Sequence, residues 1–233
     1  ELFVRSDRIS GRKYEGLKAW WSGEHEGYWK DSLIRMSYLT DHLPVKKKAT
    51  GWVDNILQST GPSGYIGMYA RGEEPNHRYR HKGQNGELWT QSRILMGMLA
   101  YSRYTDDENI LEAVERAVQR SIRAYENKNP FAVSGSSGGV SHAVGFFEVL
   151  DTLYRMTGND AYLEFAVKLY RDFNKAPPRD DDLTVSNLLD TERKFRAHGA
   201  HIAEGFLAPQ FIAEITGEDK YISAAQEAIK KLE

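Results

Sequence analysis

The sequence contains no cysteine, which excludes a disulfide framework, a cysteine-ligated metal and a cysteine nucleophile within this chain. It is silent about compartment, because a cysteine-free chain survives oxidising and reducing surroundings alike. No run of about 18 apolar residues occurs, so neither a membrane-spanning helix nor a membrane partner is expected. The opening Glu1-Leu2-Phe3-Val4-Arg5 lacks the apolar stretch and small-residue cleavage site of a secretory signal. An excess of one charge is missing too: 31 basic and 33 acidic residues are mixed along the chain. Without a basic run to neutralise a line of phosphates, no nucleic-acid partner is expected.

What is present points to a folded domain. With 233 residues, 40% of them hydrophobic and 27% charged, the chain can bury a sizeable core, and residues 1–233 are read as one domain. Aromatics make up 12% of the sequence, and many stand near glycine-rich joints: Trp20, Trp21, Tyr28, Trp29, Tyr65, Tyr69, Tyr79 and Trp89. Tyrosine and tryptophan combine a flat apolar face with a polar handle, which suits stacking on sugar rings as well as packing between helices.

Apolar residues recur at helical spacing through Tyr28, Leu33, Ile34, Met36, Tyr38 and Leu39, then through Val53, Ile56 and Leu57 after a joint containing Pro44. The pairing returns as 86–104 with 108–126, 140–156 with 160–175, and 199–215 with 219–232. Strands have almost no foothold; Tyr65-Ile66-Gly67-Met68-Tyr69 has the composition, but glycine interrupts it. The joints resemble one another around Thr40, Thr105, Thr157 and Thr216, spaced 65, 52 and 59 residues apart. Gly158 and Gly217 suit the left-handed residue that ends a helix, and the aspartates that follow suit the cap of the next. Units of this kind bury their apolar faces only against one another. Connections inside hairpins are short, whereas 58–85, 127–139 and 176–197 are long and gather loops at one end, where binding usually sits. The fold class expected is all-α, an (α/α)6-toroid-like array of hairpins, with four of about six hairpins present and the ring therefore incomplete.

Three histidines share one register. His25, His142 and His201 each stand fifteen positions before a joint Thr, in or just before the first turn of a leading helix. In a toroid they converge on the mouth of the central cup. The second hairpin has Thr90 at that offset and Glu87 one turn earlier. Glu24, Glu26, Glu87 and Glu204 are the nearby carboxylates, and Glu87 and Glu24 are the candidates for a catalytic acid or base. The substrate-binding set expected is His25, His142, His201, Glu87, Trp29 and Tyr65. His77 and His81 lie four apart in a segment unsuited to a helical metal pair, and Ser134-Gly135-Ser136-Ser137-Gly138-Gly139 lacks the ending of a phosphate loop. Asp180-Asp181-Asp182 is read as a charged loop tip after Pro177-Pro178.

The stretch Gly23-Glu24-His25-Glu26-Gly27-Tyr28-Trp29-Lys30-Asp31-Ser32-Leu33 resembles the opening inner-helix motif of glycoside hydrolase family 127, the β-L-arabinofuranosidase-like proteins. So do Gln58 to Tyr69, Ser141-His142 running to Gly158, and His201-Ile202-Ala203-Glu204-Gly205. The resemblance implies a bacterial glycosidase acting on polysaccharide or oligosaccharide fragments, secreted, periplasmic or cytoplasmic, with inner-helix histidines lining the sugar site. That role carries over to His142 and His201; Glu87 stands where the second hairpin's histidine belongs. The family's catalytic and zinc-binding cysteines lie on later hairpins, so no cofactor and no metal are expected in this chain. Two alternatives are a sugar epimerase or isomerase of the α/α-barrel type working through histidines, and a non-catalytic sugar-binding or helical-repeat protein. Alone, the chain is expected to bind sugar weakly, to turn over little, and to associate with itself through exposed hairpin flanks.

Overall fold

The computed structural model describes residues 24–67, 78–79, 86–132, 140–175 and 180–233, without the side chains of 25 and 26. Among the described residues there are helices and turns and no strand. The chain divides into two compact units, residues 1–81 with 85–127, and residues 82–84 with 128–233.

The first unit holds two hairpins: α1 (Glu24–Leu39) with α2 (Leu43–Thr60), and α3 (Glu87–Thr105) with α4 (Glu108–Tyr125). The helix α3 packs against both α1 and α4, and accordingly is buried almost all round, from Leu88 and Trp89 through Ile94, Leu95, Met98 and Leu99. By contrast α4 buries one stripe, Ile110, Val114, Ala117 and Val118, and turns its charges outward. The approach of α1 to α3 is close at Gly27, where a Cβ would lie 2.3 Å from Cβ of Arg93. Gly27→Ala is therefore expected to destabilise the protein by about 1–3 kcal/mol, the usual cost of overpacking, despite alanine's better helix propensity. A urea titration followed by circular dichroism reads this; an unchanged midpoint would contradict the packing.

The second unit contains a 3-10 turn at Ser141–Phe146 running into α5 (Phe147–Thr157), then α6 (Ala161–Lys175), α7 (Val185–Leu189), α8 (Gly199–Gly205), α9 (Ala208–Thr216) and α10 (Asp219–Lys230). Its core is aromatic: Phe146, Phe147, Phe165, Tyr170, Phe173 and Tyr221 are all buried, and the Tyr170 hydroxyl donates to the carbonyl of Leu183 at 2.7 Å.

The four joints obey one rule. Each Thr donates its hydroxyl to the carbonyl four residues back, Thr40 to Met36 at 2.7 Å, Thr105 to Tyr101 at 2.9 Å, Thr157 to Leu153 at 2.8 Å and Thr216 to Ile212 at 2.8 Å. The residue after each Thr is left-handed: Asp41, Asp106, Gly158 and Gly217, with φ of 52, 53, 70 and 65°. The Thr thus satisfies a carbonyl that the ending helix leaves open, and the next residue turns the chain. The expected aspartate caps are only partly realised. Asp107 accepts from the amide of Asn109 at 3.0 Å, but Asn159 rather than Asp160 caps α6, accepting from the Ala161 amide at 3.1 Å. Glu218 stands at the cap of α10 without a side-chain bond to the helix's amides, its carboxylate accepting from Arg171 instead at 3.2 Å, and Asp219 is already in the first turn.

Two leading helices are less regular than their periodicity suggests. The third begins as a 3-10 turn, and the fourth breaks between α8 and α9, where Pro209 opens α9. The segment 176–197, read from sequence as one loop, contains α7. Its start is fixed by the Val185 amide on Oδ1 of Asn174 at 2.7 Å.

Candidate functional site

In the second unit the sequence-predicted His142 and His201 meet. His142 sits in the 3-10 turn and His201 in the first turn of α8, with ring centroids 3.7 Å apart and planes inclined by 63°. His198, at the cap of α8, stacks edge-on to His201 at 5.0 Å. Nε2 of His142 and Nδ1 of His201 lie 3.8 and 3.7 Å from the same oxygen of Asp180, Oδ2. Nδ1 of His142 lies 3.9 Å from Oε2 of Glu204. His142 is 2% exposed. Burial, and then the neighbouring His201 and His198, push its pKa down to about 3. It is a neutral imidazole at pH 7, able to accept a hydrogen bond on one nitrogen and donate from the other.

Asp180, read from sequence as part of a loop tip, is the residue that the spacing argument missed. The three consecutive aspartates have three separate tasks. Asp180 faces the histidines; Asp181 pairs with Arg193 at 2.6 Å; Asp182, 5% exposed, accepts from the backbone amides of Arg196 and Ala197 at 3.0 and 2.6 Å. The last two fasten the entry to α8, and so position His198 and His201. The clustering of three acids was visible in the sequence, but not which of them would turn inward.

Beside this cluster runs a groove of about 190 Å³, lined by the apolar Val144, Phe147, Leu207 and Phe211 and by the polar Glu148, Asp151, Arg155, Glu204, Gln210 and Glu214. Glu204 belongs to both, touching His142 and lining the groove. An apolar floor with several carboxylates and an amide is the kind of surface that a sugar ring, with its C–H face and its hydroxyls, can occupy.

In the first unit Glu87 and Tyr65 also meet, but in a different setting. The Tyr65 hydroxyl donates to Oε1 of Glu87 at 2.7 Å and the Tyr79 amide donates to Oε2 at 2.7 Å. Glu87 is 1% exposed, and burial raises its pKa to about 7 against the lowering effect of those two hydrogen bonds and of Arg78 and Arg120. The Arg78 guanidinium covers the Tyr65 ring at 4.0 Å. Gln91 donates to the Ile66 carbonyl at 2.9 Å, and Ser121 donates to Oε1 of Gln91 at 3.1 Å. Glu87 thus clamps the segment before α3, and Tyr65, 3% exposed, is part of that clamp. Each carboxyl oxygen of Glu87 accepts one hydrogen bond from within the protein.

The remaining expected residues sit on α1. Glu24 opens that helix half-buried. Trp29 is 57% exposed, with the Lys30 ammonium over its ring at 5.0 Å. The backbone of His25 lies in the first turn of α1 as the register predicts, but its side chain lies outside the described residues. His77, His81 and the 134–139 segment lie outside them too. Trp89, one of the aromatics near the glycine-rich joints, takes the packing alternative, at 1% exposure.

The model of the GH127 β-L-arabinofuranosidase catalytic domain matches residues 1–232. The chain belongs to this family. A search of curated proteins finds no match. Among solved structures, a GH127 β-L-arabinofuranosidase from Geobacillus stearothermophilus T6 superposes with a TM-score of 0.68 at 16% identity, covering 99% of this chain and 38% of that one. A polysaccharide lyase superposes with a TM-score of 0.54 at 12% identity, covering 91% of this chain and 27% of that one. These likenesses bear out the all-helical toroid-type fold expected from the hairpin pattern. The chain spans well under half the length of either solved relative. The family resemblance implies a cysteine-held zinc, and with no cysteine in the sequence the residues of this chain do not supply such a site.

Proposed function

We propose that this member of the GH127 family takes part in glycoside hydrolysis by binding a sugar, of the β-L-arabinofuranoside class, against the second unit. The sugar occupies the groove between α5 and the α8–α9 break. The observation that carries this reading is the convergence of His142, His201 and Glu204 at the edge of a groove with an apolar floor, in a chain matched end to end by the family's catalytic domain. In this reading His142 and His201 hold ring hydroxyls. Glu204, its side chain 7% exposed, lines the groove and touches His142, and is the carboxylate of this unit placed to exchange a proton with a sugar there.

Titrating the 233-residue chain with methyl β-L-arabinofuranoside and free L-arabinose, by calorimetry, is expected to show saturable binding in the millimolar range, the affinity that a few hydrogen bonds and one stacked face support. Aryl β-L-arabinofuranoside hydrolysis is followed alongside. Absence of saturable binding to every sugar tried, in protein whose circular dichroism shows it folded, would reject the reading. One observation favours sugar isomerisation as a second reading: a neutral buried histidine beside another imidazole is suited to moving a proton. Conversion between free sugars without any aryl release would select it.

A further inference from the structure

We infer that His142, His201 and Asp180 form a binding site for a divalent transition-metal ion, with Zn²⁺ the best fit, held by two imidazoles and one carboxylate. The inference goes beyond the sugar reading and is tested apart from it: with the ion bound, Nε2 of His142 and Nδ1 of His201 are its ligands, and a sugar hydroxyl meets the ion's open position in place of the rings. The cysteine argument for expecting no metal does not reach this cluster, since a His2Asp set needs no thiolate.

Geometry supports it first. One donor atom from each of the three residues lies within 4.8 Å of the others, and both ring nitrogens face the same Asp180 oxygen, at 3.8 and 3.7 Å. A tetrahedral Zn²⁺ with ligands at about 2.0–2.2 Å holds its donors roughly 3.3–3.5 Å apart, so the two histidine–Asp180 spacings of 3.8 and 3.7 Å need to close by a few tenths of an ångström, and the two imidazole donors, within 4.8 Å of each other, draw together by a rotation of the rings. Between them is a cavity of about 10 Å³ lined by Ser141, His142, Asp180 and His201 among others, close to the room that a single water or ion requires.

The surroundings supply what a metal-bound histidine needs. Glu204 stands 3.9 Å from Nδ1 of His142, on the side of the ring opposite Nε2, from where a small shift lets it accept the Nδ1 proton as carboxylates behind metal-bound histidines do. Ser141 reaches Oδ2 of Asp180 at 3.5 Å. Asp180 and Glu204 together balance a double positive charge. Three protein ligands leave a fourth position open, as in metal sites that take water or a substrate oxygen.

The test uses the full chain, treated with a chelator and dialysed, then equilibrated with Zn²⁺ alone and separately with Co²⁺. One equivalent of Zn²⁺ is expected to bind, with a visible ligand-field band in the Co²⁺ form. Asp180→Asn and His201→Gln, at partly exposed positions that tolerate exchange, are expected to weaken binding at least tenfold and abolish the Co²⁺ band, with circular dichroism unchanged. His42→Gln, on the exposed joint before α2, is expected to leave both unaltered. No saturable binding, or binding undiminished in both variants, overturns the site. Weakening in only one of the two assigns the ion to a different set of ligands and overturns it equally. Because no sugar enters the measurement, failure here leaves the sugar reading standing, and failure of sugar binding leaves this one.

Discussion

Glu87→Ala is expected to destabilise the protein by about 2–4 kcal/mol at pH 5 and by much less at pH 8. The loss at low pH comes from removing the acceptor of the Tyr65 hydroxyl and of the Tyr79 amide, both at 2.7 Å, and from the cavity left behind. The pH dependence follows from the carboxyl itself. Its pKa rises from 4.5 to about 7 on folding, so the folded state binds a proton more tightly than the unfolded one. The wild-type stability associated with this group is therefore full below about pH 4.5 and falls as pH rises through 7, by roughly 3 kcal/mol in all. Glu87→Gln, which keeps the shape and cannot ionise, is expected to flatten stability across that window. The Tyr65 hydroxyl can turn to accept from the new amide, while the Tyr79 amide keeps an oxygen. Urea unfolding at pH 5, 6, 7 and 8 for the three proteins reads the difference. A wild-type minus Glu87→Gln difference that does not change between pH 5 and 8 would show that the carboxyl ionises freely in the folded protein.

Replacing His142 with alanine should lower affinity for methyl β-L-arabinofuranoside at least tenfold, because one buried hydrogen-bonding ring and the packing behind it are lost together. The same change has an opposite signature in pH. The folded pKa of about 3 lies below the ordinary 6.5, so the unfolded chain binds the proton more readily. Stability from the neutral ring is present above pH 6.5 and is lost as pH falls toward 3, by up to about a few kcal/mol. His142→Gln should therefore lose less stability than wild type on acidification from pH 7 to 4. His201→Gln, 18% exposed at its side chain, separates binding from folding: it is expected to weaken the sugar while leaving the unfolding midpoint nearly in place. Sugar affinity unchanged in both histidine variants would remove the cluster from the binding site.

How much of this was legible beforehand differs from residue to residue. The joints were: a Thr whose hydroxyl closes the last turn and a following residue fit for positive φ are local demands, written in adjacent positions, and they recur four times. The register of His25, His142 and His201 was equally local, a count back from each joint, and it places all three backbones in a first turn. The roles of Glu87 and Tyr65 were not legible. Glu87 stands out by its place one turn before the register position and Tyr65 as an aromatic in a long loop, and neither property says that the Tyr65 hydroxyl donates to the Glu87 carboxylate inside the first unit. Asp180 was passed over for the converse reason. Nothing in Asp180-Asp181-Asp182 distinguishes the first acid from the others until Arg193 and the amides of Arg196 and Ala197 have taken the second and third.

The sequence by itself determined the helical content, the phase of each hairpin and the places where the chain turns, because helix hydrogen bonds and caps join residues only a few positions apart. Only the tertiary structure decided which polar groups meet. His142, Asp180, His201 and Glu204 come from separate turns and loops, and their distances depend on how α5, α8 and the segment between α6 and α8 close over a shared core of Phe146, Phe173 and Leu183. That closure is set by the volume and shape of buried side chains, which act between residues far apart in the chain and leave no periodic trace in it.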